Sequence, residues 1–201
     1  PGRAGCRQQG LQRTRDGAIV VIHDGDLMRM GSDPRKVRDL TLAEIGTIDI
    51  GSKRGPQYAG ERVPTLAEVI DFARGKFRIN IELKYNVPDP QLAAAVVALL
   101  REKQFLDQVV ITSLDHASLQ QFEQLQPGLE TGLIVTAAVG NVLKTDTDFV
   151  SLNSARATAS LVGKARAAGK KVHVWTVNKP EVMLRMIERD VDNIITDDPA
   201  A

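Results

Sequence analysis

The chain has 201 residues, of which 43% are apolar and 25% are charged, and its formal net charge is +1. This length is sufficient for one domain with a sizeable core, and the balanced charge gives no bias toward nucleic acid or anionic membranes as partners. A single cysteine, Cys6, excludes an internal disulfide framework and a cysteine-rich zinc site. No apolar run approaches the roughly 20 residues that span a bilayer. We therefore expect a soluble globular segment.

The first ten residues differ from the rest of the chain. Residues 1–10 have no apolar periodicity, whereas residues 11–201 are well patterned. We therefore expect an atypical start and then a single domain, without a linker that divides it.

A hairpin is predicted where the regular pattern begins. Residues 11–14 and 18–23 flank turn residues 15–17, and this short connection leaves no room for a crossover helix. In this hairpin, we expect Gln8 to lie opposite His23.

The second arm of the hairpin ends in an imidazole and a carboxylate, at His23 and Asp24. Such groups are seldom buried in a hydrophobic core, and they are well suited to acid–base chemistry. His23 is therefore the first candidate for a catalytic residue.

Residues 25–64 show no strong strand pattern. Thr41 and Glu44 form a capping-box pair, which predicts one helix near 41–48. We interpret 25–64 as an insertion over one end of the sheet.

The remainder of the chain alternates short β-branched runs with longer helical patterns. The predicted strands cover residues 77–83, 109–113, 131–136, 148–152, 171–177 and 193–196. Helix starts between them are marked by the capping pair Thr65 and Glu68, by Asp115 and by Pro180. This alternation predicts a parallel sheet of the α/β class, covered on both faces.

Three strand ends carry unexpected polar groups. Glu82 and Lys84 are two residues apart and hence on one face of their strand. At the rim of a closed parallel barrel, Glu82 suits Mg²⁺ or Ca²⁺ and Lys84 suits a phosphate oxygen, but both also suit a solvated ion pair on an edge strand. Trp175 and the acids after residue 196 end two further strands, where packing and a turn are the simpler explanations.

Taken in order, the motifs match a known family. They are Thr14-Arg-Asp-Gly17, Val20-Val-Ile-His-Asp24, Val63-Pro-Thr-Leu66, Ile81-Glu-Leu-Lys84, Ile111-Thr-Ser113, Trp175-Thr-Val-Asn178 and Ile195-Thr-Asp197. As a set, they strongly resemble the glycerophosphodiester phosphodiesterases over nearly the whole chain after Leu11. The resemblance implies a TIM-type (β/α)8 barrel that is incomplete at its N-terminus. The six predicted strands and the damaged first arm of the hairpin supply seven strands, and one is missing.

The resemblance also implies roles for individual residues. Members of the family hydrolyse a glycerophosphodiester to an alcohol and glycerol 3-phosphate, using two histidines for acid–base work and a divalent cation held by three acidic residues. His23 matches the second histidine, Glu82 matches one metal ligand and Lys84 matches the phosphate-contacting lysine. Trp175 matches an aromatic residue that lines the glycerol pocket, and Ser113 matches a substrate-binding position.

Parts of the family's site are not found in these 201 residues. The His-Arg-Gly motif that carries the first histidine and the Pro-Glu-Asn motif are both missing. The other two metal ligands form a Glu-x-Asp pair, which by spacing falls at Gln8 and Gly10. We therefore expect binding of the divalent cation, Mg²⁺ or Ca²⁺, to be weakened or lost, and the chain to have little or no activity.

Three interpretations are open at this point. The chain is a truncated or misread segment in which the family sequence resumes at Leu11, or it is a degenerate homologue that binds without catalysis. A Schiff-base aldolase with Lys84 as nucleophile is less favoured, because Glu82 on the same face should keep that lysine protonated. Some family members carry membrane segments before the catalytic domain, so the resemblance is compatible with a cytoplasmic or a membrane-associated location.

Overall fold

The computed structural model describes residues 6–83, 89, 91–136 and 142–198, and for residues 6–9 it describes only the backbone. The chain divides into two units, Pro1–Val109 and Val110–Ala201. None of the helices among the described residues is long and apolar enough to cross a membrane.

The first unit is arranged around strand β1. Its elements are, in chain order, β1 (Cys6–Arg13), β2 (Ile19–Val21), β3 (Asp26–Leu27), α1 (Met28–Gly31), β4 (Asp33–Lys36), α2 (Leu42–Ile45), α3 (Leu66–Ala73), β5 (Arg78–Leu83) and α4 (Leu92–Glu102). β1 pairs with β2 in antiparallel fashion and with β5 in parallel. The pairing with β5 runs from Cys6 opposite Arg78 to Leu11 opposite Leu83. The backbone of β1 is therefore regular even where its sequence is atypical.

The predicted hairpin is confirmed. The Thr14 amide donates to the Ala18 carbonyl at 2.9 Å, and Gly17 in the turn adopts a φ of 87°, which residues with a side chain rarely accept. The Thr14 hydroxyl also donates to the Asp16 carboxylate at 2.5 Å. The turn signal at residues 15–17 thus marks the actual turn.

The register of the hairpin differs by one residue from the prediction. Leu11 pairs with Val21, so the same register, continued along both arms, places Gln9 opposite His23. The prediction that Gln8 lies there is wrong. Thr14 and Ala18 close the turn with residues 15–17 between them, and this pairing sets the register of the whole hairpin.

Residues 25–64 are more structured than the sequence predicts. The predicted helix is confirmed as α2, and Thr41 and Glu44 cap it reciprocally, side chain to backbone. The pattern does not predict α1 or the small antiparallel pair β3–β4, because elements of two to four residues leave no readable periodicity. The segment packs against β2 through one apolar cluster. Its buried members are Val20, Ile22, Leu27, Val37, Leu40, Ile45, Ile48 and Val63.

The second unit is a parallel sheet with helices between its strands. Its elements are β6 (Val109–Ser113), α5 (His116–Leu125), β7 (Thr131–Val135), β8 (Phe149–Asn153), α6 (Ala159–Ala167), β9 (Lys171–Trp175), α7 (Pro180–Glu188) and β10 (Asn193–Ile194). These strands lie in chain order, and neighbouring strands are parallel. Their bounds agree with the predicted strands to within two residues, and Asp115 and Pro180 begin helices as predicted. The prediction of a parallel α/β sheet is confirmed.

One face of the parallel sheet in the second unit packs against the helices of that unit. Val150 and Leu152 of β8 and Val172 and Val174 of β9 are at most 1% exposed, and they share one core cluster with side chains of α6 and α7. Burying such side chains contributes roughly 1.5–3 kcal/mol each. This face is therefore the main core of the unit.

The opposite face of the second sheet holds a stacked pair of rings. The Phe149 ring lies on the His173 imidazole with centroids 3.9 Å apart and 25° between the planes. A Cβ at Gly132 would come within 2.0 Å of the Phe149 ring, so this glycine makes room for it. His173 is buried, in agreement with the structural role that its alternation with apolar residues indicates.

Gly132→Ala should destabilise the protein by about 1–3 kcal/mol, because the added methyl group overlaps a fully buried ring. The measurement is the midpoint of urea unfolding. Gly163→Ala is the matched control: Gly163 lies inside α6 with open space at its Cβ position, so stability should stay the same or rise by up to about 1 kcal/mol. Equal midpoints for the two variants would contradict this packing.

Candidate active site

Glu82 of β5 lies directly beside Gly10 of β1. Gly10 is the Cα partner of Glu82 in this parallel pair, as Gln8 is of Asn80. Because partners in a sheet share a face, positions 8 and 10 lie on the same face as Asn80 and Glu82. Asn80 and Glu82 are both buried, at 2% and 6% exposure. The structure thus brings together the positions that the family pattern assigns to the metal ligands.

Gly10 also contacts the backbone at His23. The Ile22 amide donates to the Gly10 carbonyl at 2.9 Å. A Cβ at Gly10 would lie 3.1 Å from the His23 Cα and 3.2 Å from the Ile22 carbonyl oxygen. Such distances leave little room for a side chain, so the glycine permits a close approach of the two strands. His23 and Glu82 therefore lie on the two sides of Gly10.

His23 is exposed and contacts a carboxylate. Its Nδ1 lies 2.6 Å from Asp24 Oδ1, and the other oxygen, Oδ2, accepts a hydrogen bond from Arg29 Nε at 2.6 Å. The bond from Arg29, and after it the bond with His23, lowers the pKa of Asp24 below its ordinary value. Asp24 is therefore a carboxylate across the neutral range and a strong acceptor for the imidazole.

Arg29 is a site residue that the sequence analysis does not identify. It lies on α1, a helix of four residues without a predictive pattern. In the sequence, Arg29 is a cation six positions after His23. This spacing predicts a contact only when the conformation of the intervening backbone is known.

The loop over residues 49–60, called the 49–60 loop below, fixes the position of α1. Lys53 Nζ donates to the carbonyl oxygens of Met28, at 2.8 Å, and of Arg29, at 3.3 Å. A charged donor such as this ammonium forms a strong hydrogen bond with a carbonyl oxygen, and the Met28 oxygen accepts it in addition to the bond from the Ser32 amide. The insertion thus supports the segment that carries Arg29.

Asp49 holds the 49–60 loop together. Its carboxylate accepts hydrogen bonds from the amides of Gly51, Ser52 and Gly60 at 2.8–2.9 Å, and from the Ser52 hydroxyl at 2.8 Å. These contacts, the Ser52 and Gly60 amides first among them, hold the pKa of Asp49 far below its ordinary value. The charged form of Asp49 is therefore part of the folded loop.

Two further predicted residues lie in the second unit. Ser113 ends β6, is buried, and its Oγ accepts a hydrogen bond from the Asp115 amide at 3.1 Å. Trp175 ends β9, and its indole Nε1 is buried without an acceptor among the residues that the structure describes. A buried indole N–H usually has a partner, so Trp175 offers a donor for a ligand.

The described residues do not fit a divalent cation held by three acidic ligands. Lys84 lies outside these residues, so its predicted contact with phosphate is not placed. Within the described part of the chain, no three histidine, cysteine, aspartate or glutamate residues lie together as a cation site. Glu82 supplies one carboxylate, and Gly10 beside it supplies no side chain.

Comparison with known proteins identifies the family. The model of the glycerophosphoryl diester phosphodiesterase family matches residues 10–201. The chain belongs to this family. A glycerophosphodiester phosphodiesterase of Caldanaerobacter subterraneus subsp. tengcongensis is 35% identical over 195 residues, which cover 94% of this chain and 80% of the relative. Another, from Bacillus subtilis strain 168, is 32% identical over 216 residues, which cover 94% of this chain and 72% of the relative.

A similar solved structure contains a bound product. It is an Oleispira antarctica phosphodiesterase in complex with the product sn-glycerol-3-phosphate, with a TM-score of 0.89 and 25% identity, covering 97% of this chain and 82% of that chain. The predicted family, the α/β fold class of the TIM-barrel type and the hydrolase class are thereby confirmed. Membership of this family argues against the aldolase alternative.

Removing the Asp49 carboxylate should loosen the 49–60 loop. In Asp49→Ala, the amides of Gly51, Ser52 and Gly60 lose their acceptor, and we expect their hydrogen exchange, measured by NMR, to accelerate about tenfold. Because the pKa of Asp49 is depressed, its contribution in the unmodified protein is complete above the ordinary pKa of an aspartate. That contribution is lost as the pH falls through the lower pKa of the folded state.

Asp39→Ala is the control for this experiment, since the Asp39 carboxylate pairs with Arg38, outside the loop. Its exchange rates at the three amides should match those of the unmodified protein. Unchanged exchange in Asp49→Ala, or an equal acceleration in the control, would show that Asp49 does not hold the loop.

Proposed function

We propose that this chain retains part of the glycerophosphodiester site of its family and has lost the divalent cation that hydrolysis requires. The observation that carries the proposal is Gly10, which lies between Glu82 and His23 where the family pattern has an acidic ligand. Membership of the family makes the chemistry that of glycerophosphodiester hydrolysis. The described residues supply only part of that chemistry.

The substrate class that fits this chain is a glycerophosphodiester, cleaved to an alcohol and glycerol 3-phosphate. The relative from Oleispira antarctica binds sn-glycerol-3-phosphate. In this chain, the unpartnered indole N–H of Trp175 supports a ligand with hydroxyl or phosphate oxygens beside the ring. The roles of Lys84 and Ser113 in substrate binding rest on the family pattern alone.

His23 is the group that transfers a proton in this proposal. Asp24 lies at Nδ1, so the reacting proton falls to Nε2. A neutral imidazole with its proton on Nδ1 accepts a proton at Nε2, and the resulting imidazolium can return one to a leaving oxygen. The family divides these transfers between two histidines, and the His-Arg-Gly motif of the other one does not occur in these 201 residues.

The negative charge at the expected cation site is too small. Mg²⁺ and Ca²⁺ bind several oxygen ligands, and the charge of those ligands tunes the affinity. Glu82 contributes one carboxylate, whereas Gln8 and Gly10 contribute no charge where the family pattern has two. The cation therefore binds weakly or not at all, and the chain binds the diester but hydrolyses it very slowly.

Restoring the two acids should restore cation binding. In the double variant Gln8→Glu/Gly10→Asp, we expect the affinity for Mg²⁺ or Ca²⁺, measured by isothermal titration calorimetry, to rise at least about tenfold over the unmodified chain. The matched control is Gln8→Glu/Gly10→Asn, which places a side chain of the same shape at position 10 without its charge. This control should bind the cation more weakly, and circular dichroism checks that both variants fold.

Two results would contradict the proposed function. One is an equal cation affinity in the variants with Asp and with Asn at position 10. The other is metal-dependent hydrolysis of glycerophosphocholine by the unmodified chain at a rate typical of enzymes, roughly 1 s⁻¹ or more.

A further inference from the structure

Asp24 joins two other side chains through its two carboxylate oxygens. Oδ1 lies 2.6 Å from His23 Nδ1, and Oδ2 lies 2.6 Å from Arg29 Nε. Because both oxygens are engaged, the carboxylate cannot turn about its Cβ–Cγ bond without breaking one of these contacts. The orientation of Asp24, and with it that of the His23 ring, is therefore tied to Arg29.

The segment that carries Arg29 is held from several sides. The Met28 amide at the start of α1 donates to Asp26 Oδ1 at 3.0 Å, and Lys53 of the 49–60 loop donates to the carbonyl oxygens of Met28 and Arg29. Gly31 packs so closely on Ile48 that a Cβ would lie 2.6 Å from its Cγ2. A helix of four residues is too short to be stable alone, so these contacts determine where the guanidinium lies.

The contact with Asp24 selects one of the two neutral forms of the His23 ring. A carboxylate accepts a hydrogen bond, so the imidazole nitrogen that faces it carries the proton. A free histidine side chain favours the form with its proton on Nε2. The contact at Nδ1 therefore favours the form that a free ring populates less.

We propose that Arg29 is a positioning residue for His23: by fixing Asp24, it favours the Nδ1–H form of the imidazole. The benefit for catalysis rests on the proposed function, whereas the protonation pattern of the ring does not. An arginine suits this task because its planar Nε–H group is directed at the carboxylate and its charge is permanent.

The test is the ratio of the two neutral forms of His23, read from the ¹⁵N chemical shifts of the ring at a pH where the ring is neutral. We expect Nδ1–H to predominate in the unmodified chain. Arg29→Met should lower the ratio of Nδ1–H to Nε2–H about threefold, the effect of losing an exposed ion pair. Asp24→Ala should lower it about tenfold, because the acceptor itself is removed.

Two controls make this result specific. Arg29→Lys should restore part of the ratio, since an ammonium supplies the charge without the planar Nε–H. Arg35→Met should leave the ratio unchanged, because Arg35 forms a comparable exposed pair with Asp33, also at 2.6 Å, away from the imidazole. His116, whose Nε2 lies 2.5 Å from an Asp146 oxygen, is an internal reference for the opposite form.

An unchanged ratio in Arg29→Met, or an equal change in Arg35→Met, would overturn the positioning role. The ratio is measured without substrate or cation, so it is independent of the proposed function. If the Gln8→Glu/Gly10→Asp variant gains no cation affinity, that failure counts against the proposed function and leaves the role of Arg29 standing.

Discussion

The close approach of β1 to its two neighbours is the constraint on which the candidate site depends. Gly10 contributes no side chain, yet the backbone around it sets the distance between Glu82 on β5 and His23, two residues after β2. Neighbouring strands lie about 4.8 Å apart, and a shift of one residue in either pairing would turn a side chain to the other face of the sheet. The relation between the histidine and the carboxylate is therefore determined by main-chain hydrogen bonds.

Local signals in the sequence predict much of this arrangement. The turn at Asp16 and Gly17 and the two capping boxes involve residues that are close in sequence, so their pattern is sufficient. The register of the hairpin is not predictable in the same way, because residues 6–13 are mostly polar and their alternation is too weak to distinguish neighbouring registers. Arg29 and Lys53 escape prediction because their contacts join short segments whose relative placement only the folded chain defines.

The neutral residues at positions 8 and 10 change the stability of the fold as well as its chemistry. Carboxylates packed together without a cation repel one another, and burial adds to the free-energy cost. Glu82 is buried, and with Gln8 and Gly10 as its neighbours along β1 it does not face two further negative charges. Positions 8 and 10 therefore add no repulsion to Glu82 that a cation would have to offset. Functional sites commonly reduce stability, and neutral residues at these two positions lessen that cost.

The tight space at Gly10 affects how this sequence can evolve. A substitution that returns an acid to this position brings its Cβ to 3.1 Å from the His23 Cα, so the neighbouring strand has to give way by a few tenths of an ångström. Replacing an acid with glycine requires no such movement. At this position, a change from an acid to glycine is thus easier than a change from glycine to an acid. The change to an acid needs a second substitution that widens the space between β1 and the chain at His23.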